Sequence, residues 1–197
     1  ITGIAQEGTL TYDGSRWTIP VDARVERITT GNELADPRLV NGSIDGRLVY
    51  TGRELLSDSL RINFPDASAQ LSLRGNVANN SWQVRGPVAV NGLVFEQLGR
   101  VNAGGTIDFV FDGAWRLAAD VRGQIPRVTN DTLANLAGPV IDFSGGVSLA
   151  QNAPIDFRQI RVDSRKLELV IDGQVAPGTT RVAGRGRQAD YGPFTVE

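Results

Sequence analysis

The chain has no cysteine and no histidine. Without cysteine it has neither a disulfide framework nor a thiolate nucleophile. Without histidine it lacks the usual general base and the commonest metal ligand, so serine and cysteine triads are excluded. Methionine is absent even at position 1, and the chain therefore reads as a piece excised from a longer protein. Lysine occurs once, as Lys166, and the remaining basic residues are arginines, a bias of genome composition. A net charge of −2 argues against nucleic acid or an anionic membrane surface as the main partner. No signal peptide and no apolar run long enough to span a bilayer is present, which puts any membrane anchor outside these 197 residues. Tryptophan and tyrosine number three each and read as scattered, unlike the aromatic girdles of a transmembrane barrel.

What the chain does have is one short pattern that returns: apolar, any, apolar, any, Gly, any, apolar. It reads Leu71-Ser-Leu73-Arg-Gly75-Asn-Val77, Trp82-Gln-Val84-Arg-Gly86-Pro-Val88 and Phe109-Val-Phe111-Asp-Gly113-Ala-Trp115. Further copies are Ala119-Asp-Val121-Arg-Gly123-Gln-Ile125, Ile141-Asp-Phe143-Ser-Gly145-Gly-Val147 and Leu169-Val-Ile171-Asp-Gly173-Gln-Val175. Period-two alternation means a strand with one apolar face, and each Gly falls in phase with that face. A missing side chain there relieves crowding where the sheet bends. With 41% apolar and 21% charged residues, there is ample material to bury. The spacing of the copies is irregular, which disfavours a β-helix or adhesin of regular coils.

Strands read almost end to end. Trp17, Ile19, Val21, Ala23 and Val25 alternate with Thr18, Asp22, Arg24 and Glu26 after a hairpin turn at Asp13-Gly14. Val40, Ile44, Leu48 and Tyr50 share a phase, and Leu60 to Phe64 reads as a shorter strand. Turns are expected at Asn79-Asn80, Ala103-Gly104-Gly105 and Pro177-Gly178. Asp112-Gly113 reads as either a hairpin turn or an in-strand glycine; the fresh alternation from Trp115 favours the turn. Asn130-Asp131 can cap a short helix stopped at Gly138-Pro139, and a turn of helix is expected near Glu33-Leu34-Ala35. The expectation is an all-β chain: an elongated, curved, repeating sheet folded into a half-closed groove with an apolar interior. It has at most one or two short helical turns and runs as one continuous segment over residues 1–197.

Several stretches give the chain a resemblance to the TamB family, the inner-membrane component of the bacterial translocation and assembly module, within the AsmA-like group. They are Asp36-Pro37-Arg38-Leu39 through Asp45-Gly46-Arg47-Leu48-Val49-Tyr50, and Leu71-Ser-Leu-Arg-Gly75. Leu133-Ala-Asn-Leu-Ala-Gly138 leading into Asp142-Phe-Ser-Gly145, Leu167 through Val175, and Ala189 through Val196 are similar as well. The resemblance implies a periplasmic β-groove, or β-taco, anchored in the inner membrane of a Gram-negative bacterium. It also implies an outer-membrane barrel partner of the TamA type, met outside this segment, and a role in phospholipid transport or outer-membrane protein assembly. It implies no cofactor and no catalytic residues.

The residues expected to line such a groove and touch phospholipid acyl chains are Trp17, Ile19, Leu71, Leu73, Trp82 and Val84. With them stand Ile107, Phe109, Phe111, Trp115, Leu117, Ile141, Phe143, Val147, Leu167, Leu169 and Ile171. Their ordinary role is core packing, and in a trough both roles coexist. Arg181, Arg185 and Arg187, like Arg158, Arg161, Arg165 and Lys166, read as a solvated outer face interleaved with Asp163, Glu168, Asp172 and Asp190. On a shared strand Asp108 and Asp112 stand ~13 Å apart, too far for a glycosidase carboxylate pair. No cluster has metal-ligand spacing. The rival to lipid conduction is a scaffold whose sheet edge pairs with strands of outer-membrane proteins.

Overall fold

The computed structural model describes residues 2–29, 36–96 and 98–197. Its strands are β1 (Thr2–Gln6), β2 (Thr11–Tyr12), β3 (Trp17–Arg27), β4 (Val40–Tyr50), β5 (Glu54–Phe64), β6 (Ala67–Asn76) and β7 (Ser81–Phe95). They continue as β8 (Gly99–Asp112), β9 (Ala114–Arg127), β10 (Ile141–Ala150), β11 (Ile155–Ser164), β12 (Leu167–Ala176), β13 (Thr179–Gln188) and β14 (Gly192–Val196). A short helix α1 (Asp131–Ala137) precedes β10, and a 3-10 turn (Asp36–Arg38) precedes β4. Sequence neighbours pair antiparallel in one sheet, save that β1 and β2 both pair with β3, and the path from β1 to β14 does not close. The all-β class expected from period-two alternation holds.

The turn chemistry explains most strand ends. Asn80 and Gly178 take positive φ in the hairpins expected at those positions, and Gly113 (φ 72°) breaks the chain between β8 and β9, as the turn reading required. Asn130 caps α1 by accepting a hydrogen bond from the Leu133 amide (2.9 Å), and Gly138 ends it at φ 100°. Two expectations are corrected. Ala103-Gly104-Gly105 is no turn but lies inside β8, because a Cβ at Gly105 would strike the Asp120 carbonyl of the neighbouring strand. The strand ending at Phe64 begins at Glu54, well before Leu60. The helical turn expected near Glu33 to Ala35 lies outside the described residues.

Two compact units divide the chain: Ile1–Ala89 with Ile107–Trp115, and Val90–Thr106 with Arg116–Glu197. Among the described residues of the first, the buried apolar side chains are Ala23 and Val25, at one end of β3. In the second, Val101, Ile125, Val128, Ala137 and Ile141 form a cluster joined by Phe95, Leu133, Phe143, Val162 and Leu167. These lie where β7, β9 and β11 end and β8, β10 and β12 begin, so α1 covers that end of the strands. Gln188, 3% exposed, ties the β13–β14 turn to the helix: its side chain donates to the Leu136 carbonyl (3.1 Å) and accepts from the Asp190 and Tyr191 amides.

A four-strand pattern occurs twice, in β3 to β6 and in β9 to β12. The pairs Leu60↔Leu71 and Ser57↔Leu73, which flank a bulge between β5 and β6, recur 100 positions on as Ile160↔Ile171 and Phe157↔Gly173 between β11 and β12. Gly46 lies against the Ser59 carbonyl and Leu60, as Gly145 does against the Gln159 carbonyl and Ile160. Arg27-Ile28-Thr29 at the end of β3 returns as Arg127-Val128-Thr129 at the end of β9. The short copies stand out in sequence but this longer period does not, since it runs mostly through similar rather than identical residues. Its signal is there at an offset of 100: Val21 and Val121, Arg61 and Arg161, Ile62 and Val162.

The recurrent glycine has a packing cause. The rings of Phe64, Trp82, Phe143 and Phe194 lie over Gly42, Gly75, Gly123 and Gly186 of the adjacent strand, where a Cβ would overlap them. Gly123→Ala would press on the Phe143 ring and the Asn102 carbonyl and should cost ~1–3 kcal/mol, read as a lower thermal midpoint. Gly146→Ala, whose new methyl has nothing nearer than 3.7 Å, should stay within ~0.5 kcal/mol of the parent.

Candidate functional site

Strand registers settle which side chains share a face. In the first unit, Trp17↔Tyr50, Ile19↔Leu48 and Ala23↔Ile44 are direct cross-strand partners. The face continues through Ile44↔Ile62 and Tyr50↔Leu55 to Leu55↔Gly75, Ser57↔Leu73 and Leu60↔Leu71. Trp82 joins it, since its ring lies over Gly75, and Val84 follows in phase. Asp108 turns the other way: it accepts from Gln83 Nε2 (3.1 Å) and Arg85 Nη2 on β7. Ile107, Phe109 and Phe111 therefore alternate onto the apolar side. The same ion pair raises the Arg85 pKa above its ordinary value, chiefly through the Asp108 hydrogen bond.

In the second unit, Leu117↔Leu149, Ala119↔Val147, Gly123↔Phe143 and Ile125↔Ile141 share one face. Val147↔Phe157, Phe143↔Val162 and Val162↔Leu169 extend it across β11 and β12, with Leu167 and Ile171 in phase. Phe194 and Val196 of β14 complete it opposite Gly186 and Gly184. The other face carries Arg161, Asp163, Glu168, Asp172, Arg181, Arg185 and Arg187. A shallow cavity of about 660 Å³ there is lined by three arginines, Arg161, Arg185 and Arg187, two carboxylates, Asp163 and Glu168, and apolar residues that include Val170 and Phe194. Lys166, in the β11–β12 turn, contacts Asp190 and the Asn135 carbonyl of α1.

Each expected lining residue thus stands in the apolar phase of its strand. Cover along that phase is uneven. In β3, Ala23 and Val25 are 7% and 3% exposed, whereas Trp17 at the other end is 38% exposed. Among the described residues no large side chain is fully buried. An ordinary closed core would bury many of its Ile, Val, Leu and Phe side chains almost completely.

The tryptophans and tyrosines of the first unit are not scattered, contrary to the expectation. Tyr12, Trp17, Tyr50, Trp82 and Trp115 all stand at the same end of their strands. Neighbours in the sheet bring together what the sequence spreads over a hundred positions. The Tyr12 and Trp17 rings are 4.7 Å apart. Their hairpin is closed by Asp13, whose Oδ1 accepts from the Ser15 amide and hydroxyl and the Arg16 amide, and whose Oδ2 accepts from Arg16 Nε.

Among the described residues no group of His, Cys, Asp and Glu could hold a metal ion, and no helix is long and apolar enough to cross a membrane. Comparison with protein-family models, curated proteins and solved structures gives no match.

The hydrogen bond from the Ser15 amide, then those from its hydroxyl and from Arg16, hold the exposed Asp13 carboxyl well below the usual carboxylate range. A depressed folded pKa stabilises the hairpin fully above the unfolded value of ~3.9 and progressively less as pH falls below it. In a protein keeping Trp17 alone of the tryptophans, the near-ultraviolet dichroism of the Tyr12–Trp17 pair should hold to about pH 4 and fade below it. Asp13→Asn should weaken the signal at neutral pH and flatten its pH dependence.

Proposed function

We propose that each unit binds the acyl chains of amphipathic lipids along its apolar sheet face, as a segment of a TamB-like periplasmic groove serving phospholipid transport and outer-membrane biogenesis. The observation that carries this reading is a continuous one-sided apolar face whose large side chains remain partly exposed. Each buried methylene contributes ~0.8 kcal/mol, so a chain of many methylenes is held without any specific polar contact. A surface of Leu, Ile, Val and Phe discriminates poorly among chain lengths, which suits passage of many similar lipids. The opposite face, rich in Arg, Asp and Glu, faces water.

A photo-crosslinking residue at Phe109 should capture phospholipid in cells, and one at the exposed, polar-face Arg74 should not. Phospholipid captured at neither position, or equally at both, would overturn the reading.

A further inference from the structure

The row of aromatics in the first unit has a polarity of its own. Successive strands place Tyr12, Trp17, Tyr50, Leu55, Gly75 and Trp82 side by side, the Trp82 ring lying over Gly75. Phe111, one residue before the end of β8, and Trp115, one after the start of β9, stand at the same strand end. The ring bodies belong to the apolar phase, while their polar atoms reach toward the turns. Trp82 Nε1 donates to Asn80 Oδ1 (2.9 Å), and the Tyr50 hydroxyl donates to the Gly52 carbonyl (2.9 Å). Trp and Tyr so arranged, apolar on one side and wet on the other, mark a boundary between hydrocarbon and water.

The turns beyond the row supply the polar side of that boundary. A cavity of about 560 Å³ opens there, lined by Thr51, Gly52, Arg53, Glu54 and Asn76. It holds one cation and one carboxylate, Arg53 and Glu54, in adjoining positions. That pairing matches a zwitterionic head, with a phosphate toward Arg53 and an amine toward Glu54. From Trp17 to the buried Val25, β3 runs ~26 Å, longer than the ~15 Å that one leaflet's chains span. A whole acyl chain therefore fits between the aromatic row and the covered end of the strand.

We propose that this row is a headgroup-level belt, and that a zwitterionic glycerophospholipid lies along the strands of the first unit. Its head rests at the 51–54 turn, and its chains point toward Val25 and Phe64. The proposal rests on the acyl-chain reading above and adds an orientation and a head site. All three tryptophans of the chain stand in the belt, so their emission reports it directly.

The test loads the protein with phosphatidylcholine brominated on its acyl chain and separates it from vesicles by size exclusion. Tryptophan emission should fall more with bromines near the carboxyl end of the chain than with bromines near its methyl end. A Trp17→Phe, Trp82→Phe, Trp115→Phe, Phe64→Trp protein should reverse that order. Stronger or equal quenching from methyl-end bromines in the parent protein would overturn the orientation while leaving acyl-chain binding intact. Quenching by vesicles without co-eluting lipid would assign the belt to a bilayer surface and also overturn it. Absence of both quenching and co-eluting lipid would remove the acyl-chain reading itself.

Discussion

Phe143 lies over Gly123, Phe194 over Gly186, Trp82 over Gly75 and Phe64 over Gly42, each ring covering the bare backbone of the next strand. These contacts give an apolar sheet face packing of its own, from rings laid flat across neighbouring strands. The adjacent strand thereby contributes cover to that face. Removing the glycine or the ring breaks the arrangement from either side. The bulges, the alternation and the placement of charge on the opposite face all follow from keeping this one face apolar and continuous.

Repetition extends the same solution. The register around Leu60↔Leu71 and its bulge returns at Ile160↔Ile171, so β9 to β12 repeat the geometry of β3 to β6 with altered side chains. Between β9 and β10 lies α1, whose Ala137 is wholly buried against Val101, Ile125 and Ile141. The helix is short and depends on its Asn130 cap and on this burial, since seven residues do not sustain a helix alone.

The alternation made the strands and their faces legible: Trp17 to Val25, Leu71 to Gly75 and Leu167 to Val175 all occupy the phase read from sequence. Turns with Asn or Gly at positive φ were legible for the same local reason. Gly105 misled because its cause is tertiary, the passage of Asp120 on the next strand. The aromatic belt was hidden for a related reason. Trp17, Tyr50 and Trp82 are far apart in sequence, and only the register of intervening strands sets them in one row. The division into two units and the 100-residue repeat depend on long-range pairing, which local pattern does not encode.

Native mass spectrometry of the chain, after exposure to phospholipid vesicles and removal of free lipid, reads whether the apolar face holds lipid hydrocarbon. Mass increments equal to whole phospholipids are expected, diminished when Phe109 and Leu71, both on the apolar face, are replaced by Asp in a protein that retains its strand content. The unmodified mass alone, with no bound lipid in the parent protein, would contradict it.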